Sequence, residues 1–263
     1  MTLLQALFLG TLQGLTEFLP VSSSGHLAIA QHFLPGFEQP GVLFDIMLHV
    51  GTMIAVILFF WTDIKLLAQS PFRRSGDSGV HRKMLILLVV GTIPTAIIGL
   101  TFKDFFESLF DNLTVVSSML LVTGTLLFVS ERFRRGTRKE SQLTIADALV
   151  AGTAQAMAII PGISRAGSTI ASLLIKGVDG ETAARFSFLL ALPAVFGAAF
   201  LSLGDIRHVA TDHLPLYLAG TAAAFVSGYF SIRFLLAVIR RRRLFAFAIY
   251  CWMAGAFFLN YSL

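Results

Sequence analysis

Six apolar stretches, at about 41–61, 84–102, 114–131, 183–203, 214–235 and 244–262, each run close to the roughly 20 residues that a helix needs to cross a bilayer. Glycine, proline, charge clusters or polar loops bound every one of them. Inside lipid a backbone has no water to bond with, so such stretches are expected to be helical. Composition excludes the alternative of a water-soluble domain: 56% of residues are apolar and only 13% charged, too few to cover a wetted surface. The 25 phenylalanines, spread along the chain, suit contact with acyl chains. The single Cys251 excludes an internal disulfide and a cysteine-based metal site. The N-terminus lacks the basic n-region and small-residue cleavage site of a secretory signal, and is expected to belong to the mature fold.

The net charge of +5 does not point to nucleic acid. No lysine or arginine precedes Lys65, and most others fall at 65–83, 132–139 and 233–243. Even the run Arg240–Arg243 lies between two apolar stretches, where basic residues anchor a cytoplasmic loop. Loops 62–83 and 132–144 carry five Lys or Arg each and 236–243 carries four, against one each at 103–113 and 204–213. The positive-inside rule then places both termini outside the cytoplasm.

Two further apolar regions are broken in the middle. Residues 2–34 are interrupted by Pro20, Ser22, Ser23, Ser24, Gly25 and His26; residues 145–175 by Pro161, Gly162, Ser164 and Arg165. Each half is too short to cross comfortably, and proline and glycine end helices. Irregular backbone at membrane depth is tolerated only inside protein or along a polar cavity. Both regions therefore read as re-entrant helical hairpins.

The two hairpins also resemble one another, 142 residues apart: Gly10-Thr11-Leu12-Gln13 matches Gly152-Thr153-Ala154-Gln155, Ser22 matches Ser164, Gly25 matches Gly167 and Phe44 matches Phe186. Gly91-Thr92 recurs as Gly220-Thr221 at a smaller offset. The expected fold is thus an all-α integral membrane protein, residues 1–263 forming a single membrane domain. Its six transmembrane helices and two re-entrant hairpins fall into halves 1–140 and 141–263. Three crossings per half, an odd number, invert the second half relative to the first, and such inverted-topology repeats place a site near the midplane where broken helices meet. The small residues Gly10, Gly14, Gly152 and Ala156 give the hairpin helices faces for close approach.

Ionisable groups inside membrane segments are costly and point to function. Gln13 and Glu17 share a helix face, and Ser22, Ser23, Ser24 and His26 follow the Pro20 break, where the free amides of a starting helix attract anions. A hydroxyl, an imidazole and a carboxylate so close together are parts for nucleophilic or general-base chemistry; the plainer use of the serines is to cap a helix. Ser164, Arg165, Ser168 and Thr169 follow Pro161-Gly162. The Arg165 guanidinium can fork around two phosphate oxygens, or pair with Glu17 to hold the hairpins together. Asp45 and His49, four apart near the start of a span, either join this site or face water. His32, His81, His208 and His213 show no metal spacing and are expected to be solvated. Lys103, Asp104, Glu107 and Asp111 look like an outer loop, and Trp61 like an interfacial anchor.

The segments Gln13–His26 (QGLTEFLPVSSSGH) and Pro161–Thr169 (PGISRAGST) resemble the two signature motifs of the undecaprenyl-diphosphate phosphatase family, also called the bacitracin resistance protein family, and the similarity continues through Phe44-Asp45 and Phe186–Pro193. The resemblance implies an enzyme of the bacterial inner membrane that removes the terminal phosphate of a C55 isoprenoid diphosphate, with a divalent cation, magnesium or calcium, as cofactor. It assigns Gln13 and Glu17 to the family's acidic motif, Ser23 and His26 to its serine-histidine segment, and Ser164, Arg165 and Thr169 to its arginine motif. On this reading Glu17, Ser23, His26 and Arg165 are catalytic, Glu17 also meets the cation, and Gln13, Ser22, Ser24, Ser164, Ser168 and Thr169 bind substrate. Two positions depart from the pattern: Gln13 stands where many members carry Glu, and Ala166 where Ser is common. Gln13 therefore cannot serve as a base or a charged ligand. Expected partners are the polyprenyl diphosphate, the bilayer and, in a homodimer, a second copy. The competing expectation is a transporter or lipid flippase, since broken helices in inverted repeats are its hallmark.

Overall fold

A computed structural model describes residues 1–37, 43–72, 78–110, 112–134, 136–201 and 214–262. The described residues are helical throughout, apart from turns and one isolated bridge between Arg138 and Val178. The first broken region forms α1 (Leu3–Phe18) and α2 (Ser23–Phe33). Then come α3 (Leu43–Phe59), α4 (Trp61–Gln69), α5 (Ser78–Thr101), α6 (Lys103–Ser108) and α7 (Leu113–Arg132). A 3-10 turn at Glu140–Gln142 leads into the second broken region, α8 (Ile145–Met157) and α9 (Arg165–Ile175). The chain closes with α10 (Gly180–Leu201), α11 (Leu214–Arg240) and α12 (Phe245–Ser262).

Local chemistry sets these bounds. Thr2 and Gln5 form a capping box at the start of α1, Thr144 and Asp147 another at α8, and Asn112 accepts the Val115 amide at α7. Pro94 and Pro193 sit inside α5 and α10. Proline is tolerated there because neighbouring groups in a helical membrane bundle re-satisfy the freed backbone.

All six expected apolar stretches are helical where described. Among the described residues, four helices are long and apolar enough to cross a membrane: α5, α7, α10 and α11. The first stretch differs from a straight crossing: α3 stops at Phe59 and the chain bends by 77° into α4, so this pair counts as a fifth span only if taken as one broken element. Phe60, the residue at the bend, has no side chain able to cap the α4 start. Phe245–Tyr261 is apolar but shorter. The chain is thus a multi-pass membrane protein. Its outward faces carry the matching signature, with Leu4, Ile97, Phe200, Phe230 and Met253 all exposed. Two loops hold more helix than the sequence suggested: α4 and the first turns of α5 occupy much of 62–83, and α6 lies within 103–113, where Lys103 and Glu107 pair at 3.6 Å. His208 and His213, Asp111 and the 204–213 loop are outside the described residues.

Close helix contacts occur at glycines. A Cβ on Gly10 of α1 would stand 2.2 Å from the Gly220 carbonyl oxygen of α11. A Cβ on Gly152 of α8 would stand 2.0 Å from the Gly91 carbonyl oxygen of α5. The two contacts join the matched sequence positions crosswise. The hairpin breaks do the same at their tips: a Cβ on Gly25 would meet Gly162 at 3.1 Å, and one on Gly167 would meet Pro20 at 3.3 Å. The breaks are therefore pressed against each other inside the bundle, over a core of Phe18, Met53, Leu87, Ile170 and Phe188. Basic and acidic groups tie one end together: Arg138 and Lys176 flank Asp147, and Arg185 meets Asp63 at 2.8 Å.

Candidate active site

Each break is closed by a serine cap. Ser22 Oγ accepts the Gly25 amide at 3.2 Å and Ser164 Oγ accepts the Gly167 amide at 3.0 Å, which starts α2 and α9 at adjacent points in space. Ser22 sits at φ 71°, a left-handed conformation that costs a side-chain-bearing residue energy. Gly162, at φ 93°, makes the second break at no such cost. Thr123 of α7 holds that break from outside: its hydroxyl donates to the Gly162 carbonyl at 2.9 Å and accepts the Ser164 amide at 3.0 Å.

With both helix starts fixed, side chains from four elements converge on Glu17. Ser23 Oγ donates to Glu17 Oε2 at 2.5 Å, and Gln13 Nε2 donates to the same oxygen at 3.0 Å. Arg165 Nη2 forms an ion pair with Glu17 Oε1, joining the hairpins. His49 of α3 brings Nε2 to 3.5 Å from Glu17 Oε2, while its Nδ1 donates to the Asp45 carbonyl at 2.8 Å. Asp45 in turn accepts from Gln31 at 2.7 Å. Gln13, Glu17 and Ser23 are all buried.

The cluster is charge-paired but not saturated. Gln13 Oε1 and Arg165 Nη1 are buried with no hydrogen-bond partner among the described residues. One is an acceptor and the other a donor, so the site offers an oxygen for a cation or a proton-bearing group and an N–H for an anion. A hard divalent cation takes oxygen ligands, and Glu17 with the Gln13 amide oxygen fits that preference. Among the described residues, no group of three His, Cys, Asp or Glu side chains is arranged to hold a metal.

The other residues singled out from sequence lie nearby with different partners. His26 is not bonded to Ser23: its Nδ1 meets the Ser22 carbonyl at 2.7 Å and its Nε2 the Tyr250 hydroxyl at 2.7 Å. Ser24 reaches Ser22 Oγ at 3.3 Å. Thr169 donates to the Arg165 carbonyl at 2.8 Å and contacts Ser187 Oγ at 2.5 Å, which turns it along α9. Ser168 Oγ is buried and has no partner among the described residues. Sequence reasoning missed Tyr250, Thr123 and Ser187. A tyrosine, a threonine and a serine in apolar helices carry no spacing signal, and only the packing of α12, α7 and α10 brings them to the hairpins.

A polar cluster of carboxylate, hydroxyl, guanidinium and imidazole, held at the junction of two broken helices within a multi-pass helical bundle, defines a membrane protein with a charged internal site. The family model for "Bacitracin resistance protein BacA" matches residues 6–257, and the chain belongs to that family. It is 60% identical over 262 residues, the whole of both chains, to an undecaprenyl-diphosphatase of Syntrophotalea carbinolica. It is 44% identical over 257 residues to one of Halothermothrix orenii, covering 97% of this chain and 96% of that one. A third relative of the same name, from Methanobrevibacter smithii, is 42% identical over 267 residues, covering 97% and 96%.

Proposed function

We propose that this chain hydrolyses undecaprenyl diphosphate to undecaprenyl phosphate and inorganic phosphate, and so recycles the lipid carrier of cell-wall synthesis. The observation that carries the reading is the meeting of Ser23, Glu17 and Arg165 across the two hairpin breaks. The names of the relatives support it independently.

The chemistry follows from the contacts. The Arg165 guanidinium, with Nη1 unpartnered, takes phosphoryl oxygens, and the amides at the start of α2 and α9 add partial positive charge. Ser23 Oγ attacks the terminal phosphorus in line; the Oγ–P bond forms and the bond from phosphorus to the bridging oxygen breaks. That electron pair leaves with the lipid monophosphate, and the Ser23 proton passes to Glu17, its hydrogen-bond acceptor. Water then attacks the phospho-serine and its protons stay with the phosphate released, while Glu17 returns the proton it took to Oγ as the Oγ–P bond breaks. Stabilising the phosphoryl oxygens is the larger part of the work. A bound divalent cation held by Glu17, Gln13 Oε1 and the diphosphate would supply further neutralisation of that charge. His26, one turn beyond Ser23, serves the departing phosphate as an acid in its doubly protonated form: the Nε2 proton passes to that phosphate and the ring returns to the neutral form.

Six crossings and two re-entrant hairpins, halves 1–140 and 141–263 as inverted repeats, a site open to the periplasm of the inner membrane and both termini outside the cytoplasm belong to the same reading. The crosswise contacts Gly10–Gly220 and Gly152–Gly91 support the repeats, because matched helices exchange matched neighbours. Homodimer formation also belongs here and is checked by the mass of the purified particle. The same exchanged, broken helices favour a second reading, a flippase for a lipid phosphate.

Phosphate release from a polyprenyl diphosphate, measured on purified protein with and without magnesium, tests the reading. Release by wild type with its collapse in Glu17→Ala and Arg165→Ala is expected. A folded wild-type protein that releases none across lipids and metals leaves transport as the function.

A further inference from the structure

An apolar groove of about 480 Å³ runs between α2 and α12, lined by Leu12, His26, Ala30, Phe33, Tyr250 and Phe257 among others. Within its wall His26 is joined to Tyr250. On α2 the lining residues His26, Ala30 and Phe33 follow Ser22 at intervals of three and four, so one helix face leads from the hairpin break into the groove. The groove begins at His26, one helical turn from Ser23.

Two contacts hold the His26 ring. The Ser22 carbonyl, 2.7 Å from Nδ1, can only accept, so Nδ1 carries a hydrogen. In the neutral ring Nε2 is then an acceptor, and the Tyr250 hydroxyl at 2.7 Å donates to it. The two rings also stack, with centroids 5.6 Å apart and planes within 12°. Tyr250 is 45% exposed, too open for its place to be dictated by core packing, yet its hydroxyl bonds one ring atom and its face covers the same ring.

We propose that Tyr250 is a positioning residue for this reaction, holding His26 at the head of the groove, where the substrate's hydrocarbon leaves the site and the phosphate that stays on the lipid departs. The inference rests on the phosphatase reading above. A diphosphate bound at Arg165 and Ser23 has its chain end directed away from the anionic pole, and the groove supplies the apolar path beside it. The Ser22 carbonyl sets the tautomer of His26, and Tyr250 fixes the angle of its ring without contacting phosphorus itself. Nothing in the Ser23–Glu17 contact depends on Tyr250, so attack and departure have separate supports.

The test compares wild type, Tyr250→Phe, His26→Ala and the double variant, by phosphate release from a polyprenyl diphosphate. Phenylalanine keeps the ring face and removes only the hydroxyl, and thermal unfolding in detergent verifies that packing is intact. Tyr250→Phe is expected to lower kcat about tenfold, at the low end of what a positioned acid or base contributes, with KM within about twofold. In the His26→Ala background the same change is expected to cost nothing further, because Tyr250 acts through His26. Losses that multiply in the double variant, or a Tyr250→Phe enzyme with wild-type kcat, would overturn the assignment while leaving the phosphatase reading in place. Absence of release by folded wild type would overturn both.

Discussion

Ser23 and Arg165 stand at matched positions 142 residues apart, each directly after a capping serine at the start of a helix, and each reaches Glu17. One brings a hydroxyl and the other a guanidinium. Around them the scaffold is alike: Ser22 and Ser164 cap, Gly25 and Gly167 press on the opposite break, and Gly10 and Gly152 meet backbone carbonyls. The chemistry is not alike. Glu17 is matched by Ile159, His26 by Ser168, and Gln13, which donates to Glu17, by Gln155, which donates to Thr95 at 3.2 Å. The first hairpin carries a carboxylate, a hydroxyl and an imidazole, and the second supplies the guanidinium that balances the carboxylate. Placing opposite charges on different hairpins means that neither can be buried without the other, because an unpaired ion at this depth is costly.

The largest effect that would sharpen this comparison is loss of activity from either side of it. Glu17→Ala and Arg165→Ala are each expected to lower kcat for phosphate release by about a thousandfold or more, and Arg165→Lys to fail as a rescue because a lysine cannot fork. An active Arg165→Ala would reduce the second hairpin to scaffold. Ser23→Ala is expected to bring a comparable fall in kcat; near-normal turnover would remove the covalent route and leave water as the nucleophile, oriented by Glu17.

Stability should follow the shared scaffold rather than the divided chemistry. Gly10→Val and Gly152→Val each drive a side chain into a carbonyl oxygen, and both are expected to destabilise by at least about 3 kcal/mol, read from thermal or chemical unfolding in detergent. A large effect at one and none at the other would break the equivalence of the two contacts. The smallest effect concerns the caps. Ser164→Gly should cost a few tenths of a kcal/mol. Ser22→Gly should cost less or even stabilise, because glycine relieves the φ of 71° that Ser22 adopts.

Much of this arrangement was legible beforehand. The length of the apolar stretches predicted their helices, and Pro20 and Pro161-Gly162 predicted the two breaks. Gln13, Glu17, Ser23 and Arg165 were identified because polar groups are rare at such positions, and the structure brings these four together. The bend after Phe59 was hidden, since the apolar run continues through it and no proline or glycine marks it. His26 was read beside Ser23 on the strength of proximity in sequence; its bond to Tyr250 depends on a helix that begins more than 200 residues later.

The sequence by itself determined the solvent, the helices, the breaks and the residue types at the breaks, because each is set by local chemistry: hydropathy, backbone satisfaction and capping. Only the tertiary structure decided that Glu17 is shared by Ser23, Gln13, Arg165 and His49, that Thr123 clasps the second break, and that His26 faces Tyr250. Those pairings depend on which helix faces meet, and faces meet where glycines let backbones approach to contact, a condition that lies in two distant segments at once.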